Sequence, residues 1–174
     1  MASTYTPIAT TTLGSAAASY TFSSISGSYT DIVLTISGYG SGTDGNAVLC
    51  QVGNGSVDTG SNYSVTRLSG NGTTASSGRR SSQTNGYLSD NTGFPNSSSQ
   101  ISNFIVNFMN YSNTTTYKTF LSRANVASGT YPGTEALVNL WRSTSAINTI
   151  KVFPFAGESF DTGTTITIYG IAAA

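Results

Sequence analysis

Histidine is absent from this 174-residue chain, and cysteine occurs once, at Cys50. A Ser-His-Asp triad, a Cys-His pair and a histidine-ligated metal site all need an imidazole, so none of them can be built within one chain. Cys50 lies in the apolar run 47–50, which is typical of a small buried side chain. The Gly-x-Gly stretches at 38–40 and 53–55 do not lead into a helix, so a phosphate-binding loop is not expected. These patterns favour a binding or structural protein without a cofactor over an enzyme.

Carboxylates are the remaining groups that could do acid–base chemistry. A glycosidase needs two of them, and a pair meeting across two loops stays an alternative. All of the acids except Glu135 lie in turn sequence or at a strand edge, where Asp commonly caps the backbone. The oxygen-rich loops at 43–46, 57–60 and 89–93 lack the ligand spacing of a calcium loop, so no metal site is expected. The seven acids are Asp31, Asp44, Asp58, Asp90, Asp161, Glu135 and Glu158.

Two stretches have the groups of a sugar-binding site. Lectin-like sites place an aromatic ring against a sugar face and hydrogen-bond its hydroxyls with Asn, Asp and Arg. Residues 59–67 and 78–83 contain these groups, and a host glycan is therefore a candidate ligand. The alternative is that the tyrosine packs in a sheet and that an arginine of 79–80 meets a carboxylate across an interface. The candidate contact residues are Asn62, Tyr63, Arg67, Arg79 and Arg80.

The composition describes an uncharged, hydroxyl- and amide-rich surface. Ser, Thr, Asn and Gly supply 88 residues, charged residues are 8%, and seven Lys and Arg balance seven Asp and Glu. A nucleic-acid partner is not expected, because a basic stripe is missing. The chain lacks a run of about 20 apolar residues, and its first residues lack the pattern of a signal peptide. We therefore expect synthesis in a cytoplasm and no membrane insertion.

Strands are predicted by apolar residues that alternate with period two, rich in β-branched and aromatic types. The clearest runs are 31–37, 104–109, 136–141 and 165–169, and no segment sustains a helical period. Residues 15–18 could form one helical turn at most. We predict an all-β fold, an antiparallel two-sheet β-sandwich that is jelly-roll-like, with a closed barrel as the alternative. Further strands are predicted at 19–25, 47–52, 63–68, 117–124 and 147–153.

The first residues differ in character from the rest. Residues 1–18 are predicted to be an extended N-terminal arm, and residues 19–174 a single sandwich domain. The stretch 2–13 is rich in threonine and contains a proline, so it could add to the sheet edge of a neighbouring subunit. Tyr5, Pro7 and Ile8 are the candidate contacts of this arm with a lattice.

Five segments taken in order resemble a family of small β-rich virion proteins of tailed phages, particularly aquatic and cyanobacterial ones. The resemblance covers nearly the whole chain. It implies a non-enzymatic structural subunit on the exterior of the particle, and no catalytic motif comes with it. The segments are SYTFSSISGSYTDIVL at 19–34, DTGSNY at 58–63, NYSNTTTYKTFLSR at 110–123, LWRSTSAI at 140–147 and TIYGI at 167–171.

The resemblance implies a capsid decoration or cement protein, with the major capsid protein or tail proteins as partners. A tail-fibre tip or adhesin that binds host carbohydrate is the alternative, while a complete fibre would need a shaft that the pattern lacks. A depolymerase is disfavoured, because such enzymes are usually larger. A homotrimer is expected, since trimers are common among virion appendages and few charges would have to be desolvated between protomers.

Overall fold

The computed structural model describes residues 4–42, 46–90, 94–126 and 133–172. Within these ranges the chain is built from antiparallel strands joined by turns, and a single helical turn at Phe155–Gly157 follows one of them. The strands are β1 (Tyr5–Thr12), β2 (Tyr20–Phe22), β3 (Asp31–Gly38), β4 (Gly40–Ser41), β5 (Val48–Asn54), β6 (Ser56–Val57), β7 (Tyr63–Gly70), β8 (Ala75–Gln83), β9 (Gly86–Tyr87), β10 (Ser102–Met109), β11 (Lys118–Val126), β12 (Gly133–Trp141), β13 (Thr149–Pro154), β14 (Ser159–Phe160) and β15 (Thr165–Ile171).

The larger sheet has eight strands in the order β1-β15-β3-β10-β11-β12-β7-β8. Its strands alternate between buried and exposed residues, as β10 illustrates: Phe104, Val106 and Phe108 are buried, and Ile105 and Met109 are exposed. Because successive side chains of a strand point to opposite faces, one face of the sheet forms the core and the other faces outward. The sheet is open, and β1 and β8 are its edge strands.

The smaller sheet has five strands and covers the inner face of the larger one. Its order is β2-β13-β5-β6, and β9 pairs with β5. Val48, Cys50 and Val52 of β5 lie in the main core, next to Ile150 and Val152 of β13. The predicted all-β, antiparallel two-sheet sandwich is thus confirmed, with sheets of unequal size.

Aromatic rings fill much of the space between the sheets. Phe108 and Phe120 stack with ring centroids 4.9 Å apart, and Phe94 meets Phe160 edge-on at 5.6 Å. Fully burying such a side chain stabilises the fold by about 1.5–3 kcal/mol. Cys50 is buried among these residues, and its burial raises the pKa of the thiol. The interpretation of Cys50 as a small apolar core residue is therefore confirmed.

The predicted strands agree with the observed ones wherever apolar residues alternate. The two-residue strands β4, β6, β9 and β14 were not predicted, and neither was the longer β8, because Ala75–Gln83 contains no apolar alternation. Its pairing with β7 makes it a strand. The helical turn suggested at 15–18 was wrong, since Ala17 instead forms an isolated bridge to Phe160. Its amide and carbonyl both bond to the backbone of that residue.

The N-terminal segment is extended, as its composition suggests, and lies along the edge of its own sandwich. Tyr5–Thr12 pairs with β15, and the register shifts between Pro7 and Ala9 at a β-bulge. Ile8 packs against the core, while the exposed ring of Tyr5 meets Tyr169 edge-on at 6.2 Å. Pro7 has no backbone N–H to donate, which suits an edge strand. In this chain the segment is therefore part of the larger sheet.

Candidate functional site

Tyr63 begins β7, and its side chain points into the core. The residue is 0% exposed. Its hydroxyl donates to the carbonyls of Val52 and Asp58, at 3.0 and 2.9 Å, and accepts from the Val52 amide at 3.0 Å. Burial raises the pKa of this phenol. Tyr63 cannot present its ring to a sugar, so the sugar-binding prediction was wrong for this residue; the alternative that it packs in the sheet is what we observe.

Asn62 belongs to a hydrogen-bond cluster centred on the Asp58 carboxylate. Asp58 Oδ2 accepts from Trp141 Nε1 at 2.7 Å and from Asn62 Nδ2 at 2.8 Å, while Oδ1 accepts from the Gly60 amide at 2.8 Å. Partial burial tends to raise the pKa of Asp58, but these hydrogen bonds outweigh it and the pKa lies below its usual value. The Asp58 carboxylate therefore connects the loop that contains Asn62 to Trp141 of β12.

Asp58→Asn is expected to lower the free energy of unfolding at pH 7 by about 1.5–3 kcal/mol, because an amide replaces a carboxylate that accepts three hydrogen bonds. The folded pKa is lowered, so this stabilisation is complete above the unfolded value of about 3.9 and is lost as the pH falls below it. Urea unfolding at pH 7 and pH 3 measures both effects. Asp161→Asn, in the turn before β15, is the control. Equal losses for Asp58→Asn at the two pH values would contradict the linkage.

Arg67 and Arg80 share one carboxylate of their own chain. Asp90 Oδ2 lies 2.8 Å from Arg67 Nη1, and Oδ1 lies 2.8 Å from Arg80 Nη2. The Arg80 guanidinium also lies 5.1 Å from the ring centroid of Tyr87. Its hydrogen bonds to Asp90 raise the pKa of Arg80. The backbone amide of Asp90 donates a hydrogen bond to Glu135 Oε2 at 2.7 Å, which fixes the position of Asp90. Through Asp90, this cluster connects β7, β8 and β12 at the edge of the larger sheet.

Arg79 points the opposite way from its neighbour Arg80. It pairs with Thr66, and Arg80 pairs with Val65, so the two arginines lie on opposite faces of the larger sheet. The five predicted contact residues therefore do not form one site. Tyr63, Arg67 and Arg80 face inward, Asn62 lies in the Asp58 cluster, and Arg79 alone lies on the outer face.

The outer face of the larger sheet is the surface that the sequence did not single out. Four apolar side chains project from it to solvent: Leu68 is 61% exposed, Val138 51%, Met109 50% and Ile105 40%. The register aligns Ile105 with Arg123, Arg123 with Ala136, and Ala136 with Leu68 across four adjacent strands. We call these residues, with Arg79, the outer patch. The sequence did contain a signal for this surface: β10 and β12 have apolar residues on both faces, although only one face of each strand is buried.

The outer patch is shallow and carries positive charge. A depression of about 400 Å³ lies beside Leu68, Ala136 and Arg123, and smaller ones lie beside Val138 and Ile105. Arg79 and Arg123 are exposed. The one acid within β7, β8, β10, β11 and β12 is Glu135, which is buried at 2% exposure. Asp31 of β3 lies opposite Met109 in the register and adds one carboxylate at that edge of the patch. Exposed apolar residues with an excess of positive charge are typical of a contact surface for another macromolecule.

The described ranges contain no group of three or more Cys, Asp and Glu side chains placed to hold a metal ion. The loop at 43–46, considered above for calcium, lies largely outside the described residues. Among the described residues, no helix has the length and apolar character needed to cross a membrane.

No model of a protein family matches this chain, and no curated protein matches its sequence.

Proposed function

We propose that this chain is a structural subunit on the exterior of a tailed-phage particle, and that it is a capsid decoration or cement protein rather than an enzyme. The observation that carries the proposal is the outer patch, where exposed apolar side chains lie beside Arg79 and Arg123, with Asp31 of β3 at the Met109 edge. Such a face would let a rigid sandwich bind a lattice of other subunits. The order of the segments that resemble phage appendage proteins supports the same conclusion.

The charge of the outer patch indicates the chemistry of its partner. Two copies placed patch to patch would bring Arg79 and Arg123 of each copy near the same groups of the other, which is unfavourable. A surface with apolar residues and carboxylates would complement the patch, and the major capsid protein is the partner we propose. A homotrimer would form through other surfaces, because a threefold ring joins two different patches of each protomer.

A tail-fibre tip is the second candidate, and one observation favours it: an open groove beside the smaller sheet, lined by Phe155, Lys151 and Glu158 among others. Location on the particle separates the two functions. Immunogold labelling of particles that contain the chain should mark the head for a decoration protein and the tail for a fibre tip. Absence of the chain from purified particles, measured by mass spectrometry, would refute both.

Val138→Glu is expected to reduce incorporation of the protein into particles by about tenfold or more, because it puts a carboxylate in the middle of the outer patch. Val138 is exposed, so the fold should be kept, and a circular-dichroism melt checks this. Phe155→Glu is the matched control, since Phe155 is 49% exposed and belongs to a different surface. Equal incorporation of Val138→Glu and the unaltered protein would contradict docking through the patch.

A further inference from the structure

A groove of about 370 Å³ lies beside the smaller sheet, away from the outer patch. The end of β13 and the turn Phe155–Gly157 form one side of it, and Leu49, Asn85 and Ser19 contribute to the lining. Its volume is within the range of about 300–1,000 Å³ typical of small-molecule sites. None of the residues considered above for sugar binding lines this groove.

The turn holds an aromatic ring toward solvent. Phe155 is 49% exposed, although the preceding Pro154 is buried. The Phe155 amide donates to the Ala47 carbonyl at 2.9 Å, and the Glu158 amide donates to the Phe155 carbonyl at 3.3 Å. Ala156 has a φ of 60° and Gly157 a φ of 76°, so two consecutive residues adopt the left-handed conformation.

This conformation is costly for alanine, by about 1–2 kcal/mol. Strained backbone of this kind concentrates at ligand sites, where the surrounding structure maintains it. The exposed ring is a second cost, because Phe is usually buried. An exposed ring on a strained, hydrogen-bonded turn is an arrangement that core packing does not explain.

The polar groups of the groove carry both signs of charge. Lys151 Nζ lies 5.3 Å from the ring centroid of Phe153, which leaves its donors near the groove. Glu158 lines the same groove, and its carboxylate accepts a hydrogen bond from Asn46. The amide of Asn85 adds both a donor and an acceptor.

From this combination we propose that the groove binds a neutral saccharide. The apolar face of a sugar ring would lie on Phe155, and its hydroxyls, which both donate and accept, would bond to Lys151 and Asn85. One ammonium and one carboxylate cancel in net charge, which disfavours phosphorylated, sulfated or sialylated ligands: an anion would meet Glu158. The inference does not depend on where the subunit sits on a particle.

The test uses the full chain, fluorescently labelled, on a printed array of neutral and acidic oligosaccharides. We expect binding to neutral glycans, followed up by saturation-transfer NMR with the best soluble one. Phe155→Ala should weaken that binding by about tenfold or more, since an aromatic contact with its buried area is lost. Glu158→Gln removes the carboxylate that an anion would meet, so it should reduce the preference for neutral over acidic glycans. Val138→Ala, on the outer patch, should leave it unchanged.

Three outcomes would overturn the proposal: no binding to any neutral glycan by array or NMR, preference for acidic glycans, or unchanged affinity in Phe155→Ala. Each variant is first checked for an unchanged thermal melt, and Phe155→Leu, which keeps apolar bulk without the ring, distinguishes loss of stacking from loss of shape. Incorporation into particles is measured separately, so a failure of glycan binding would not be confused with a failure of the structural role.

Discussion

Replacing Tyr63 by alanine is expected to lower the free energy of unfolding by about 3–5 kcal/mol, as for other large aromatic side chains in a core. Tyr63 is fully buried, and its hydroxyl joins β7 of the larger sheet to Val52 in β5 of the smaller one. The substitution leaves a cavity and removes the hydroxyl's hydrogen bonds to Val52 of β5 and to Asp58 in the loop before β7. A melting temperature lower by about 10 °C should accompany it, since one kcal/mol corresponds to about 2–4 °C at this chain length.

Tyr63→Phe separates the two contributions. It keeps the ring and removes the hydroxyl, so the Val52 amide loses its acceptor, at a cost of about 1–3 kcal/mol. The folded pKa of Tyr63 is raised, so its stabilising effect is complete below the unfolded pKa of about 10 and is lost at higher pH. Chemical denaturation at pH 7 and pH 11 should show a smaller alkaline loss for Tyr63→Phe than for the unaltered protein. A Tyr63→Ala variant of unchanged stability would contradict the buried placement.

Replacing Asp90 by alanine is expected to cost about 3 kcal/mol, because removing one partner of a buried ion pair leaves the other charge buried. The charge left without its partner is that of Arg67, whose side chain is 13% exposed; among the described residues its Nε already has no hydrogen-bond partner. The 47% exposed side chain of Arg80 contributes little, as is usual for exposed pairs. Denaturant unfolding measures the loss, which should depend only weakly on salt.

Arg79→Ala is the matched control for the Asp90 experiment. Arg79 is adjacent to Arg80 in sequence but lies on the outer face, and its removal should change stability by less than about 0.5 kcal/mol. Arg67→Met should recover part of the loss in the Asp90→Ala background, because it removes the buried charge that lacks a partner. If Asp90→Ala and Arg79→Ala have the same effect, the ion-pair cluster does not brace the sheet.

The fold was predictable wherever strand side chains differ in polarity between the two faces. In β10 the run from Phe104 to Met109 shows period two directly, and the burial follows it. In β8 both faces are polar, so nothing in Ala75–Gln83 distinguishes a strand from a loop. That segment becomes a strand because β7 offers it an unpaired edge, which is a tertiary effect.

The failure to recognise β8 as a strand also explains why the predicted sugar-binding residues do not form one site. Adjacent residues of a strand face opposite ways, so recognising β8 would have separated Arg79 from Arg80 at once. Tyr63 has a large apolar ring and a polar tip, and sequence alone does not tell whether its hydroxyl meets water or buried carbonyls. The turn at Phe155–Gly157 depends on the left-handed φ of Ala156. Alanine rarely adopts this conformation, so the sequence does not predict it.

The two edges of the larger sheet have a consequence for how this protein behaves when crowded. β1 is interrupted by Pro7 and a bulge, and β8 has a bulge near Ser82, with a φ of 54°, and two adjacent arginines. These are the features by which natural sheets prevent edge-to-edge polymerisation. Copies synthesised at high local concentration should therefore not polymerise into cross-β fibres through their sheet edges. Assembly is left to side-chain surfaces, which can close at a defined number of subunits.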